Sequence, residues 1–126
     1  MASKGNAVTN FIDGAREQAD GVHAVTVVEI ESGMTLGQWS DGSLDPEVAS
    51  AYNVEVVKAK LKAIDALGLS DNIDDILITL DSQFHIINCT NSGSHMIYLA
   101  ADKKKGNLAI LRNIVKKGVA SIESSL

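Results

Sequence analysis

Residues 46–67 read as a helix with two apolar faces, whereas a helix on the surface of an isolated domain needs only one. On a 3.6-residue wheel, Val54, Val57, Leu61 and Ile64 form a bulky stripe. Val48, Tyr52, Val56, Ala59, Ala63 and Ala66 form a second stripe, mostly of small side chains. Lys60 and Asn53 separate the two on one side, and Lys58, Asp65, Lys62 and Glu55 separate them on the other. One stripe covers a sheet. The other needs a further partner, and for a chain of 126 residues the simplest partner is a second copy. The ends of this helix are well marked. Asp45 is a good N-cap, Pro46 suits the first helical position, and Glu47 lies at the positive end of the helix dipole. Gly68 stands where a left-handed C-terminal cap is wanted. The 22 residues span about 33 Å.

The remaining segments are shorter. Asn6 to Ala19 follows the helical repeat through Val8, Phe11, Ile12, Ala15 and Ala19, and Asp20-Gly21 ends it. Val22 to Ile30 is rich in β-branched residues, and Glu31-Ser32-Gly33 turns it into a second strand, Met34 to Trp39. After the long helix come three strands, Ile73 to Leu80, Phe84 to Thr90 and Ser94 to Ala101, joined by hairpin-length turns. A last helix runs from about Asn107 to Ser125, with Leu108, Leu111, Val115, Gly118, Val119 and Ile122 along its stripe. The chain is therefore expected to be an α+β sandwich in the order helix, two strands, helix, three strands, helix. Hairpins dominate, so the five-stranded sheet should be mainly antiparallel. The long helix is expected on one face and the two terminal helices on the other.

Length points to one domain over residues 1–126, long enough to bury roughly two-thirds of its unfolded surface. There are five aromatic residues, so the core must be aliphatic. The net charge of −5 weighs against nucleic acid as a partner. Charge is uneven: residues 102–126 carry six Lys/Arg against two acids, and the preceding residues carry five against fourteen. The single Cys cannot form an internal disulfide, which points to a reducing compartment. The N-terminal residues MASKGNAVTNF lack a signal-peptide apolar run, and no stretch approaches the ~18 apolar residues of a membrane span. A cytoplasmic protein that does not insert into membranes is expected.

Several strings in this order resemble the roadblock family, the dynein-light-chain type and its bacterial and archaeal relatives. The strongest are Ile97-Tyr98-Leu99-Ala100-Ala101-Asp102-Lys103 and then Gly106-Asn107-Leu108 through Arg112. They are similar to the family's apolar strand, Asp-Lys turn, Asn-Leu helix start and following Arg. Glu29-Ile30-Glu31-Ser32-Gly33 resembles its acidic first turn, and the bacterial and archaeal branch is the nearer one. The resemblance covers about residues 8–122. It implies strand order 2-1-5-4-3, dimers that pair through the long helix and the third strand, and regulation or scaffolding of Ras-like GTPases. The residues themselves agree with such pairing. Ile76, Leu77 and Ile78 are consecutive, so the third strand is apolar on both sides. As an edge it either pairs with a second copy or is blunted by Asp74 and Asp75.

Chemical motifs are sparse. His85 and Cys89 share a strand face, and His95 on the next strand could complete a zinc-type set, but no close ligand pair is present. Cys89 has no evident base to make it a nucleophile. There is no Gly-rich phosphate loop and no GxGxxG motif after a strand. No metal and no cofactor are expected. Arg112 is either a solvated helix residue or a candidate arginine finger. Lys103, Lys104 and Lys105 precede a helix start, where they oppose the dipole. They are either a solvated turn or contacts for a phosphate or an acidic partner. Trp39 either packs under the loop from Ser40 to Leu44 or anchors a partner.

The expected function is thus a non-enzymatic homodimeric regulator or scaffold that binds a small Ras-like GTPase. Its dimer interface is expected at Val48, Tyr52, Val56, Ala59, Ala63, Ala66, Ile76 and Ile78, with partner contacts at Lys103, Lys104, Lys105 and Trp39. The alternatives are a small-ligand sensor, for which the strands offer His85, Asn88 and Thr90, and a cargo or signalling adaptor without a GTPase.

Overall fold

A computed structural model describes residues 4–126, so the reading of the N-terminus as leader-free falls partly on residues outside the described ones. The elements are α1 (Lys4–Gln18), β1 (Val22–Glu29), β2 (Thr35–Ser40), α2 (Pro46–Ala66), β3 (Asp75–Thr79), β4 (Gln83–Cys89), β5 (His95–Asp102) and α3 (Leu108–Glu123). They build one antiparallel sheet in the order β2-β1-β5-β4-β3, so β2 and β3 are its edges. The third strand starts at Asp75 rather than Ile73. Before it, a single ladder bond ties Cys89 N–H to the Asp74 carbonyl at 3.2 Å.

The two faces of the sheet are covered unequally. On one, α1 and α3 lie side by side. Phe11, Ile12, Leu111, Val115 and Ile122 from the helices meet Val25, Val27, Ile86, Ile97 and Leu99 from the strands. Two glycines let α1 settle. A Cβ at Gly37 of β2 would approach Val8 Cγ1 to 2.5 Å, and one at Gly118 of α3 would run into the Phe11 ring. On the other face α2 lies alone, over β1 and β2. Its Val54 and Val57 meet Ala24, Val28, Ile87, Met96 and Tyr98. Among the described residues, seventeen buried side chains make up the first cluster and ten the second. The thinner layer is on the α2 side.

Capping explains why α2 begins and ends where it does. The Asp45 carboxylate accepts from the Glu47 N–H at 2.9 Å, and Pro46 opens the helix. At the other end Gly68 adopts φ 72°, the Gly68 N–H donates to the Asp65 carbonyl, and the Leu69 N–H donates to Ile64. These two bonds form a Schellman closure. A buried hydroxyl pair pins the helix to the sheet: Ser50 Oγ donates to Thr26 Oγ1 at 2.8 Å. Asn53, expected on the polar boundary of the helix, is instead buried, and its amide donates to the Ala49 carbonyl at 2.8 Å.

Replacing Ser50 with Ala leaves the Thr26 hydroxyl without this partner in the interior. Ser50→Ala is expected to cost about 1–3 kcal/mol in urea unfolding, and adding Thr26→Val to recover part of that loss.

Candidate interaction surface

The bulky and small stripes of α2 have different fates. Val54 and Val57 are buried against the sheet, whereas Val48 is 53%, Tyr52 72% and Val56 38% exposed. Ala59 and Ala66 are exposed and Ala63 is half-buried. The bulky stripe is itself incompletely covered. Leu61 is 39% exposed, because the helix runs beyond its well-packed first half. Leu67 and Leu69 extend the exposed apolar surface past the cap.

Strand β3 adds to this surface. In the antiparallel register Ile76 pairs with Ile87 and Ile78 with His85, which places both isoleucines on the α2 side of the sheet. Both are half-buried. Leu77 points to the opposite face and is 37% exposed, so the strand is apolar on both sides and closed on neither. As an edge, β3 also leaves one row of backbone groups unpaired by any strand. Asp74 and Asp75 flank only its start.

A polar cluster stands beside Ile78. His85 Nε2 lies 2.8 Å from Gln83 Oε1, and its Nδ1 lies 3.3 Å from the hydroxyl of Tyr98. The two rings meet edge to face at 5.4 Å. With Gln83 accepting from Nε2–H and Tyr98 donating to Nδ1, this geometry holds the neutral imidazole. Burial acts in the same direction, lowering the His85 pKa, and it pushes the Tyr98 phenol up to about 12.

The other expected site residues do not converge on this surface. Trp39 does not pack under the loop from Ser40 to Leu44. It turns to the opposite face, against the α1 and α3 cluster, while Leu44 packs on the α2 side. The Arg16 guanidinium lies 4.4 Å above the indole ring. Lys103, Lys104 and Lys105 are exposed, but the backbone around them is already engaged. The Lys104 and Lys105 N–H groups donate to Asp102 Oδ1 at 2.8 and 2.9 Å, Lys103 N–H to the Ser82 carbonyl, and Gly106 N–H to the Asp102 carbonyl. Those two amides hold the Asp102 carboxyl below its ordinary pKa. Asn107 caps α3 by accepting from the Ile110 N–H. The Asp102 carboxylate thus occupies the Lys104 and Lys105 amides from within the turn itself.

Arg112 is committed as well. Its Nε and Nη2 both donate to Asp75 Oδ2, at 2.9 and 2.7 Å, tying α3 to the start of β3. His85 and Cys89 do share the α2 face, but His95 alternates with Met96 and points to the other side. The three residues therefore do not meet. Burial, helped by the charge of Asp74, raises the Cys89 thiol to about 11, which disfavours the reactive thiolate. No group of three metal-ligating side chains assembles among the described residues, and none of the described helices is long and apolar enough to cross a membrane.

Sequence reasoning missed the Ser50–Thr26 pair, although the signal was there: Ser50 lies on the same stripe as Val54 and Val57, and Thr26 interrupts an apolar strand. It also missed the joint environment of His85 and Tyr98, which are 13 residues apart and meet only through strand register.

The lowered His85 pKa has a definite sign. The unfolded chain takes up this proton at higher pH than the folded chain, so stability is expected to fall as pH drops below about 6.5. His85→Gln should flatten that part of the profile in urea midpoints measured across the range. An unchanged slope would assign it to another group.

No protein-family model matches the sequence, and no curated protein matches it. Solved structures do. MglB of Myxococcus xanthus aligns with a TM-score of 0.83 at 13% identity, over 100% of this chain and 95% of that chain. A Roadblock/LC7 domain from Streptomyces avermitilis aligns at 0.75 and 16% identity, over 89% and 91%. An MglB in a tetrameric arrangement aligns at 0.78 and 8% identity, over 100% and 95%. The fold is that of roadblock-type domains from bacteria.

Proposed function

We propose that this protein is a non-enzymatic regulator or scaffold that works as a homodimer and binds a small Ras-like GTPase. One observation carries the dimer: the second apolar stripe of α2 is exposed on the same side of the sheet as Ile76 and Ile78 of the unpaired edge strand. Val48, Tyr52, Val56, Ala59, Ala63 and Ala66 on one copy would meet the same surface on the other in a two-fold interface. Small side chains along the stripe let two helices approach closely, and β3 pairing with its twin would continue the sheet across both copies. An MglB of similar fold is found in a tetrameric arrangement, which supports self-association of such a chain.

The GTPase rests on the family resemblance in the strand β5 to α3 region. Arg112 is tied to Asp75, so modulation of hydrolysis would work by positioning the GTPase's own residues rather than by inserting an arginine finger. Lys103 to Lys105 and the half-buried Trp39 remain available as contacts with a partner at the periphery.

Light scattering coupled to size exclusion should find a particle of two 13.3 kDa chains, and Tyr52→Glu or Val56→Glu should convert it to a folded monomer. A wild-type monomer at about 50 µM, a concentration at which even modest association would register, would remove the dimer from this reading. Pull-down from native extract, followed by GTP-hydrolysis assays on any GTPase recovered, tests the partner. Its repeated absence would favour an adaptor without one.

A further inference from the structure

The one-helix face is not the only place where coverage is incomplete. On the other face, α3 spans β4 and β5 and stops short of β3, leaving a cleft of about 310 Å³ between the helix and the edge strand. Its walls are charged and of opposite sign. Asp74 and Asp75 stand on the strand side, and Arg112 and Lys116, with Asn113 between them, stand on the helix side. At the floor is Asn88. It pairs in register with Asp75 and Ile97, faces α3, and is only 4% exposed. Its side-chain amide makes no hydrogen bond to any described residue. The amide opens into the cleft, where it is placed to meet a ligand.

We propose that this cleft binds a free α-amino acid in its zwitterionic form. The charge layout selects that class. A simple anion would face two carboxylates, and a simple cation would face Arg112 and Lys116, whereas a zwitterion satisfies both walls. Arg112 spends Nε and Nη2 on Asp75 Oδ2 alone. Asp75 Oδ1 is left to take the ligand ammonium, and the outer guanidinium nitrogen and Lys116 are left to take its carboxylate. The Asn88 amide, a donor and an acceptor together, fills the remaining polar positions between them. The volume lies at the small end of the range for ligand sites, and every lining residue except Ala109 carries a charged or amide group, which fits an amino acid better than a lipid or an aromatic cofactor. The site lies on the opposite face of the sheet from α2, and its strand wall is the start of the β3 edge that the proposed dimer would pair.

The test is a ¹H–¹⁵N titration of the full chain with each of the common amino acids, reading the Asn88 side-chain amide and the Arg112 Nε–H. At least one amino acid should shift both saturably below about 10 mM. Its N-acetyl and its amide derivatives, each lacking one charge, should bind at least about tenfold more weakly. Asn88→Ala and Lys116→Glu should weaken binding to a similar degree. Lys116 is exposed, so that variant keeps the test valid should Asn88→Ala fail to fold. Three results would overturn the proposal: no saturable shift with any amino acid, equal binding of acetate, or equal binding of the N-acetyl amide, which would indicate a peptide segment.

Discussion

A five-stranded sheet presents two apolar faces, and here three helices must close them. Two are used on one side and one on the other, so the single helix α2 sets the character of the molecule. It lies over β1 and β2, anchored through Val54, Val57 and the Ser50–Thr26 hydroxyl pair. Everything that this placement leaves open follows from it: the exposed stripe from Val48 to Ala66, the half-buried isoleucines of β3, and the crevice of Ile73, Leu61 and Cys89 beneath the end of the helix.

The better-covered face carries a smaller version of the same geometry. α1 packs tightly because Gly37 and Gly118 remove the side chains that would hold it away. With α1 fixed over β1 and β2, α3 takes β4 and β5, and β3 is left without a helix of its own. The Arg112–Asp75 pair bridges that gap. It is half solvated, so its energetic contribution is small. Its structural effect is to hold the guanidinium against the start of the edge strand.

Much of this was legible in the sequence for particular reasons. The long helix could be bounded by Asp45, Pro46 and Gly68 because capping is local chemistry, and each of these residues does what its type predicts. The hairpins could be placed because tight turns demand Gly, Asn, Asp and Ser. The resemblance around residues 97–112 supplied the strand order that hairpins alone leave open. At the lysine turn the sequence leaves one feature hidden: Asp102, just before the lysines, accepts from backbone amides of the turn. Sequence spacing does not reveal that a side chain folds forward onto the amides two and three residues on. Trp39 serves the α1 face because it pairs in register with Val25 and alternates in step with Gly37, both on that face, a placement that strand pairing decides.

By itself, the sequence determined the elements, their order and the excess of apolar surface on α2, since periodicity, caps and turn residues act over a few positions. Tertiary structure alone decided which surfaces stay open and which polar groups meet. His85 finds Tyr98, Arg112 finds Asp75, and Asn88 is left without a partner at the foot of a cleft through strand register and helix placement. Those depend on how far each helix reaches across the sheet, a property of packing between distant segments that no local pattern encodes.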